Sequence, residues 1–363
     1  MSAARSVFRG ARSASRVSVR AFNQPKAFSP AFTAIRSVSN STKQDYEVIS
    51  EKEVPVTLYT KDGKIEKIIN VDEATAAHKD EPVAGAFESG PCEPLTKKVH
   101  DTMTPTMKSM SVMGKTIVVT GAARGLGNNM ARACLEAGAS NLIIFDVSQE
   151  NGDMAAAELH KLTGVPVTFY KVDVRDEKAV DSAVEAMYAQ WGAPDVLINS
   201  AGIADSNMPL ETYDREKFRR LIDVNLTGTF LICQAIGNKM MKDKKKGSIV
   251  LIASMSGSVV NYPQEQSCYN ASKAGVVMFG KSLAAEWAKY NIRVNCISPG
   301  YMDTALNNVP ALDQQKKIWK ELTPQHRLGS VDDLNGLAVF LASDASKFMT
   351  GSNVLIDGGY TLY

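Results

Sequence analysis

The chain has 363 residues, enough for one large domain or two small ones. Its hydrophobic content of 44% and charged content of 22% are ordinary for a globular enzyme. The net charge is +2, and the positive excess lies in residues 1–44, which hold eight Lys and Arg and no acidic residue. The rest of the chain has more acidic than basic side chains, so we expect no nucleic-acid partner.

Residues 1–44 are rich in Arg and Ser and free of acidic residues, which is typical of a transit peptide. Five arginines recur at steps of three or four residues and would share one helical face; they are Arg5, Arg9, Arg12, Arg16 and Arg20. This cationic amphipathic pattern predicts import into the mitochondrial matrix, and a basic tail on a cytoplasmic enzyme is the alternative. No run of 18 apolar residues exists, so we expect no membrane span.

Residues 45–110 are predicted to form an N-terminal extension without chemistry of its own. Two β-rich runs, residues 54–60 and 65–71, flank Asp62-Gly63, a strong hairpin signal. Several Pro and Gly residues follow and indicate a loose linker. The extension is too small for a strong core, so we expect it to lie on the main domain or remain mobile.

A strand followed by a glycine-rich turn opens the main domain. The apolar run Ile117-Val118-Val119 predicts a buried parallel strand, and residues 128–137 predict a helix. Between them the glycines would let a pyrophosphate approach the helix start, as in dinucleotide-binding proteins. The residues of this turn that we expect to bind the cofactor are Gly121, Arg124, Gly125, Leu126 and Gly127.

Asp146 ends the second predicted strand, 19 residues after Gly127, close to the spacing expected for an acid that binds ribose. A carboxylate there would accept a hydrogen bond from the 2′-hydroxyl and repel a 2′-phosphate, which predicts NAD. Arg124 favours the opposite choice, because a guanidinium in the turn could pair with that phosphate. We expect NAD, with NADP as the less favoured cofactor.

Strands and helices alternate from residue 113 to the end. Apolar strands recur near residues 167–170, 196–199, 248–253, 293–297 and 353–356. This rhythm predicts an α/β protein with a single doubly wound Rossmann domain and a parallel sheet over residues 111–363, preceded by the extension.

Tyr269 and Lys273 lie four residues apart and would share one face of a helix. A free phenol, with a pKa of about 10, is a poor base at neutral pH. An ammonium group held nearby favours the phenolate, so we expect Lys273 to lower the pKa of Tyr269. The five Cys and four His are scattered without a metal-binding spacing, so we expect a reducing compartment and no metal.

Residues of about 110 to 363 resemble the short-chain dehydrogenase/reductase family, whose signposts occur here in order. The resemblance implies catalytic roles for Asn225, Ser254, Tyr269 and Lys273. Ser254 lies 15 residues before Tyr269, slightly further than is usual in the family, so Ser256 is the alternative serine. The resemblance also implies further cofactor contacts from Asp173, Asn199, Ala201, Gly202, Tyr269, Lys273, Pro299, Gly300 and Thr304, with Ser200 standing where the family has a second Asn.

Residues 253–257 and 261–266 look like the fungal branch of this family that acts on sugar alcohols and their ketoses. The resemblance therefore implies hydride transfer between NAD and a polyol, D-arabinitol above all, with Tyr269 as the acid and base. Amide and carboxylate groups in the loop could bind several hydroxyls. The predicted substrate contacts are Ser254, Ser256, Gln264, Glu265 and Tyr269.

The family also implies a homotetramer, built from the long helices near residues 227–241 and 269–290, and a mobile lid over residues 301–325. A mitochondrial 3-oxoacyl carrier-protein reductase shares the same catalytic set and is the alternative enzyme; it would use NADPH. A non-catalytic scaffold is a third possibility, but all four catalytic residues are intact.

Overall fold

The structure, a computed structural model, describes residues 93–205, 207–304 and 312–363. The predicted transit peptide and hairpin lie outside the described residues and stay predictions. The predicted domain boundary at residue 111 likewise stays a prediction.

Seven parallel strands form one sheet in the order β3-β2-β1-β4-β5-β6-β7. The strands are β1 Thr116–Thr120, β2 Asn141–Asp146, β3 Val167–Lys171, β4 Val196–Asn199, β5 Gly247–Ile252, β6 Ile292–Pro299 and β7 Asn353–Ile356. Each lies within three residues of its predicted position, because fully buried parallel strands are nearly continuous apolar runs. The register of β1 pairs Val118 with Ile143 of β2 on one side and with Leu197 of β4 on the other.

Ten α-helices occur in the described residues. They are α1 Lys97–Thr102, α2 Pro105–Ser109, α3 Gly125–Glu136, α4 Gln149–Thr163, α5 Glu177–Trp191, α6 Arg215–Ile222, α7 Gly228–Lys242, α8 Ser267–Trp287, α9 Asp313–Leu322 and α10 Asn335–Ala342. A single π-helical turn, Asp223–Thr227, separates α6 from α7. None of these described helices combines the length and apolar character needed to cross a bilayer.

Both faces of the sheet are covered, which confirms the predicted doubly wound Rossmann fold. Alternate residues of β1 point to opposite faces, so Val118 packs in one core cluster and Ile117 in the other. The first cluster includes Val184 of α5 and Ile236 of α7, whereas the second includes Leu135 of α3. The strand order reverses between β1 and β4, and ligands of such sheets bind in the crevice beyond the carboxyl ends of the strands at this point.

Two short helices, α1 and α2, precede the first strand and were not predicted. The Thr96 hydroxyl accepts the Val99 N–H, and the Thr104 hydroxyl accepts the Met107 N–H, so each helix has a side-chain N-cap. Pro105 at the first position of α2 suits a helix start. The Leu95 N–H then donates to the Glu136 carbonyl (2.9 Å), which joins this segment to the end of α3.

Candidate active site

The glycine turn between β1 and α3 is shaped by two close backbone approaches. A Cβ on Gly121, which has φ +65°, would lie 2.8 Å from Ala201 Cα, and a Cβ on Gly127 would lie 2.3 Å from the Gly121 carbonyl oxygen. A Cβ on Gly125 would meet nothing within 4 Å. No side chain caps the start of α3, whose N-cap residue is the exposed Arg124. The turn therefore presents free helix-start amides to open space, as a phosphate site requires.

Asp146 braces this turn from the end of β2. One carboxylate oxygen accepts the Ala123 N–H (3.0 Å), and the other accepts the Ser148 N–H (3.1 Å). Both oxygens are therefore already engaged by backbone amides, one of them inside the glycine turn itself.

Asn199 and Thr120 hold the ends of β1 and β4 together. The Thr120 hydroxyl donates to Asn199 Oδ1 (2.9 Å) and accepts the Ala201 N–H (3.0 Å), while Asn199 Nδ2 donates to the Thr229 hydroxyl (2.9 Å). This buried network holds the backbone of Ala201 in its position against Gly121. Asp173, after β3, forms an ion pair with Arg175 (2.6 Å), which lowers the pKa of its carboxyl, chiefly by a side-chain hydrogen bond.

Tyr269 and Lys273 lie in the first two turns of α8, at the same edge of the sheet. Lys273 Nζ is 5.8 Å from the centre of the Tyr269 ring and donates to the Ile252 carbonyl at the end of β5 (3.0 Å). Lys273 is buried, and this burial lowers its pKa to about 8. Both the charged and the neutral form of Lys273 are therefore accessible near neutral pH.

The pKa of Tyr269 is raised, opposite to the predicted direction. Burial is the larger cause, and a hydrogen bond with Ser254 acts against it by lowering the pKa. The predicted net lowering by Lys273 is absent, because a lysine with a pKa of about 8 is already neutral at the higher pH at which the phenol ionises. Ser254 is therefore the serine that influences the Tyr269 hydroxyl, and Ser256 lies next to Ser254, with the two hydroxyl oxygens 3.1 Å apart.

Asn225 lies in the π-helical turn, almost fully buried. Its Oδ1 accepts the Ile203 N–H (2.8 Å), and its Nδ2 donates to the Ile203 carbonyl (2.9 Å) and to the Ser272 hydroxyl of α8 (3.0 Å). A Cβ on Gly202 would lie 3.3 Å from Asn225 Oδ1 and 3.4 Å from Lys273 Nζ. The chain after β4 therefore passes closely by both predicted catalytic groups, and Asn225 joins it to α8.

Gln264, a predicted substrate contact, is buried and its amide is largely occupied. Its Oε1 accepts the Tyr301 O–H (2.9 Å) and the Trp319 indole N–H (2.8 Å), and its Nε2 donates to Gln266 Oε1 (3.1 Å). One N–H of Gln264 is left for a substrate. Glu265 is half-buried, and its backbone carbonyl accepts the Met208 N–H (3.1 Å).

Trp319 and Gln266 were not among the predicted site residues. Trp319 lies on α9, inside the segment predicted as a mobile lid, and its ring stacks on Tyr301 with centroids 4.1 Å apart and planes 7° apart. It is the single buried residue of α9, a helix in which most residues are polar. The sequence does carry a signal for this residue, because a single tryptophan among mostly polar helix residues indicates that the helix packs on the protein through that side chain.

The loop after β6 completes the edge of the site. A Cβ on Gly300 would lie 2.6 Å from Asp357 Cα, so this glycine permits the turn after Pro299 to pack on the C-terminal segment. Thr304 is half-buried and is the last residue described before residue 312. In the described ranges no group of three His, Cys, Asp or Glu side chains could hold a metal ion.

Comparison with known proteins identifies relatives over most of the chain. A family model described as enoyl-(acyl carrier protein) reductase matches residues 121–361. An NADP-dependent mannitol dehydrogenase of Hypocrea jecorina is 41% identical over 254 residues, covering 69% of this chain and 94% of the relative. A D-arabinitol 2-dehydrogenase (ribulose-forming) of Candida tropicalis is 37% identical over 276 residues, covering 72% and 96%.

A solved structure shares the same fold. The gluconate 5-dehydrogenase of Burkholderia cenocepacia, solved in complex with NADP and tartrate, matches with a TM-score of 0.67 at 33% identity. The match covers 71% of this chain and 99% of that one.

The prediction of NAD is wrong. Two similar relatives, from Hypocrea jecorina and Alternaria alternata, are named NADP-dependent, which points to NADP. Asp146 has a structural role that the sequence did not reveal, because its two oxygens accept the Ala123 and Ser148 N–H groups and hold the glycine turn in place. Arg124, exposed at the start of α3, is the cation that the sequence placed beside a 2′-phosphate.

Proposed function

Because the chain belongs to the short-chain dehydrogenase/reductase family, we propose that it transfers hydride between NADP and a secondary alcohol of a sugar alcohol or its ketose. The observation that carries this proposal is the convergence of Tyr269, Ser254 and Lys273 at the carboxyl edge of the sheet, beside the glycine turn. The chain is an oxidoreductase of CH–OH groups, as its relatives are.

The glycine turn fits a dinucleotide. The uncapped start of α3 and the open space at Gly125 suit the pyrophosphate, and the exposed Arg124 suits a 2′-phosphate. The resemblance adds Leu126, Asp173, Ala201 and Gly202 around the adenosine half, and Pro299, Gly300 and Thr304 around the nicotinamide. When bound, NADP supplies the carbon that accepts or gives the hydride.

Tyr269 is the group that moves the proton. In the oxidation direction its phenolate takes the proton of the substrate hydroxyl, and in reduction its phenol returns one to the new alkoxide. Ser254, in contact with Tyr269, hydrogen-bonds the same substrate oxygen and holds it at the reacting position. This bond also favours the phenolate, because it opposes the effect of burial on the pKa of Tyr269.

Lys273 supports this proton transfer from the next turn of α8. Its pKa of about 8 lets it release and regain a proton near the working pH. Asn225 and Lys273 both lie close to Gly202. Asn225 also joins the segment after β4 to Ser272 of α8, so it holds this segment and the helix together. We propose that the proton leaves from Tyr269 by way of Lys273 on the Asn225 side.

The substrate is a polyol or ketose of a kind that the relatives' names indicate. D-arabinitol, mannitol and sorbose are each supported by a relative of similar identity, from 37% to 41%. Ser254, Ser256 and the half-buried Glu265 offer polar groups for the hydroxyls, together with the remaining N–H of Gln264.

The acyl carrier-protein reductase remains the second candidate. The description of the matching family model, an enoyl-(acyl carrier protein) reductase, names the same carrier but a different reaction, and NADP removes the objection that Asp146 raised. The names of the relatives favour the polyol.

Initial rates of the purified full-length chain test these proposals. NADP and NAD are each offered with D-arabinitol, mannitol and sorbitol, and NADPH with sorbose and an acetoacetyl thioester. We expect NADP reduction by a polyol and its loss in Tyr269→Phe, which should still bind NADPH. NADPH oxidation by the thioester alone would replace the polyol proposal with the acyl reductase.

We also propose that residues 1–44 direct the protein to the mitochondrial matrix. The support is their eight basic residues without an acidic one and the spacing of five arginines. A fluorescent protein fused to these residues should enter mitochondria in fungal cells, and a fusion with Arg5, Arg9 and Arg12 changed to Gln should not. Cytoplasmic fluorescence from both fusions would contradict the proposal.

A further inference from the structure

A chain of buried hydrogen bonds joins α9 to Ser254. The Trp319 N–H donates to Gln264 Oε1 (2.8 Å), and Gln264 Nε2 donates to Gln266 Oε1 (3.1 Å). Gln266 Nε2 donates to the Ser256 hydroxyl (3.1 Å), whose oxygen lies 3.1 Å from that of Ser254. All five side chains are less than 9% exposed, so solvent does not compete for these bonds.

The first member of this chain can only donate. An indole N–H has no acceptor atom, so the amide oxygen of Gln264 must face Trp319. The Tyr301 O–H donates to the same oxygen (2.9 Å) and strengthens this choice. The Gln264 nitrogen then faces Gln266, which must present its own oxygen to Gln264 and its nitrogen to Ser256.

The opposite end of the network requires the same orientation of Gln266. The Val259 carbonyl can only accept, and Asn270 Nδ2 donates to it (3.3 Å). Asn270 therefore turns its Oδ1 toward Gln266, whose Nε2 donates to it (3.0 Å). Amide orientations are assigned from such networks. Here the Trp319 indole, which can only donate, and the Val259 carbonyl, which can only accept, require the same orientation of Gln266.

This orientation leaves the Ser256 proton available for Ser254. Because the Ser256 oxygen accepts from Gln266, the Ser256 proton is free to point to the Ser254 oxygen. That oxygen also accepts the Ser256 backbone N–H (3.1 Å). The Ser256 oxygen keeps one acceptor position, so the contact between the two hydroxyls can also run from Ser254 to Ser256. When Ser256 donates instead, the single proton of Ser254 is left for the Tyr269 side.

We propose that Gln266 is a positioning residue that directs the Ser254 proton toward the substrate oxygen, acting through Ser256 and held in its orientation by Gln264 and Trp319. The inference rests on the proposed role of Ser254 as the hydrogen-bond donor to that oxygen. Since Trp319 belongs to α9, the donor is correctly directed when α9 is packed on the loop that carries Gln264.

The variant Gln266→Glu tests the direction of these hydrogen bonds, because glutamate has nearly the same shape as glutamine. A carboxylate can only accept, so Ser256 would turn its proton to Glu and Ser254 would turn its proton to Ser256. We expect kcat to fall about 10- to 100-fold, as when one preorganised donor to a reacting oxygen is lost, with KM changed less than about threefold. NADPH affinity, followed by fluorescence, should not change.

A double-variant cycle separates this role from a structural one. Without the Ser256 hydroxyl the reversed direction cannot reach Ser254, so Gln266→Glu combined with Ser256→Ala should have the rate of Ser256→Ala alone. The proposal would be overturned if the loss in the double variant were the product of the losses in the two single variants. It would also be overturned if Gln266→Glu kept the wild-type kcat. The neutral carboxylic acid can donate, so the activity of Gln266→Glu relative to wild type should also recover as the pH falls.

Two further variants keep the result interpretable. Gln264→Glu still accepts from Trp319 and Tyr301 but removes the donor to Gln266, so it should show the same loss and the same cancellation by Ser256→Ala. It replaces Gln266→Glu if thermal unfolding shows the latter to be misfolded. Full activity in Ser254→Ala would refute the role of Ser254 itself, whereas inactivity there with normal Gln266→Glu would refute only the directed chain.

Discussion

Burial decides the charge properties of the two central residues of the site. The ammonium of Lys273 and the phenolate of Tyr269 are both disfavoured by the apolar surroundings, so the pKa of Lys273 is lowered and that of Tyr269 is raised. At this scale the hydrogen bond from Ser254 is the contact that favours the phenolate.

Removal of this contact should therefore move the pH dependence of the reaction. In Ser254→Ala the lowering influence on the pKa of Tyr269 is lost, so the pKa rises further. We expect the rising limb of kcat/KM for polyol oxidation to shift to higher pH, with a loss of about 100-fold at neutral pH. The pH profile of the variant beside wild type is the measurement, and an unmoved limb would show that Ser254 does not tune Tyr269.

The buried Lys273 should also make folding stability depend on pH. In the native protein its pKa is about 8, against 10.5 for an ordinary lysine. Between these values the unfolded chain binds a proton that the folded chain does not, so stability rises with pH across this window. The stabilisation is fully present above the unfolded value and is lost as the pH falls through about 8.

Comparison with Lys273→Met isolates this effect, because other groups titrate equally in both proteins. From pH 8 to 10.5 the free energy of unfolding of wild type should gain on that of the variant, by on the order of 3 kcal/mol. Urea unfolding at several pH values measures the difference. Parallel curves for the two proteins would mean that Lys273 keeps an ordinary pKa.

Among the secondary-structure elements, the turn between β1 and α3 allows the least change. In Gly127→Ala the new Cβ would lie 2.3 Å from the Gly121 carbonyl oxygen, and backbone cannot yield as a flexible side chain does. We expect a loss of stability of about 2 kcal/mol or more and NADPH binding weakened at least about tenfold. Thermal unfolding and fluorescence titration measure these two losses.

Gly336→Ala is the matched control. Gly336 lies in α10, where a Cβ would meet nothing within 4 Å and alanine is the better helix former. This variant should be as stable as wild type or slightly more so. Equal losses in the two variants would mean that the close approach at Gly127 is not what limits substitution there.

The elements themselves could largely be predicted, since buried parallel strands are visible as apolar runs and the glycine turn has a fixed spacing. The wrong prediction of NAD, which relied on Asp146, shows the limit of such reasoning. The place of Asp146 at the end of β2 follows from the sequence, but its bonds to the Ala123 and Ser148 amides depend on the folded turn. The stacking of Trp319 on Tyr301 likewise joins segments whose proximity no local pattern reveals.

For the whole molecule, two groups of exposed apolar residues bear on assembly. Phe230 of α7 and Met278 of α8 are exposed, and the Phe230 ring lies against Phe279 (6.4 Å between centroids). Leu355 of the edge strand β7 and Leu362 near the C-terminus are exposed as well. A tetramer with dihedral symmetry needs two different self-complementary surfaces, so this arrangement suits the predicted homotetramer.

Single charges placed on these surfaces should separate the assembly stepwise. Met278→Glu removes the contact between α7–α8 surfaces but leaves the C-terminal one, and Leu362→Glu does the reverse, so each variant should be a dimer. The double variant should be a monomer, because an unpaired buried carboxylate costs several kcal/mol at an interface. Light scattering after size exclusion gives the masses, with Lys289→Glu as a charge control at a residue exposed beyond α8. A wild-type mass equal to one chain would contradict the tetramer. If both single variants were tetramers, the subunit contacts would have to lie on other surfaces.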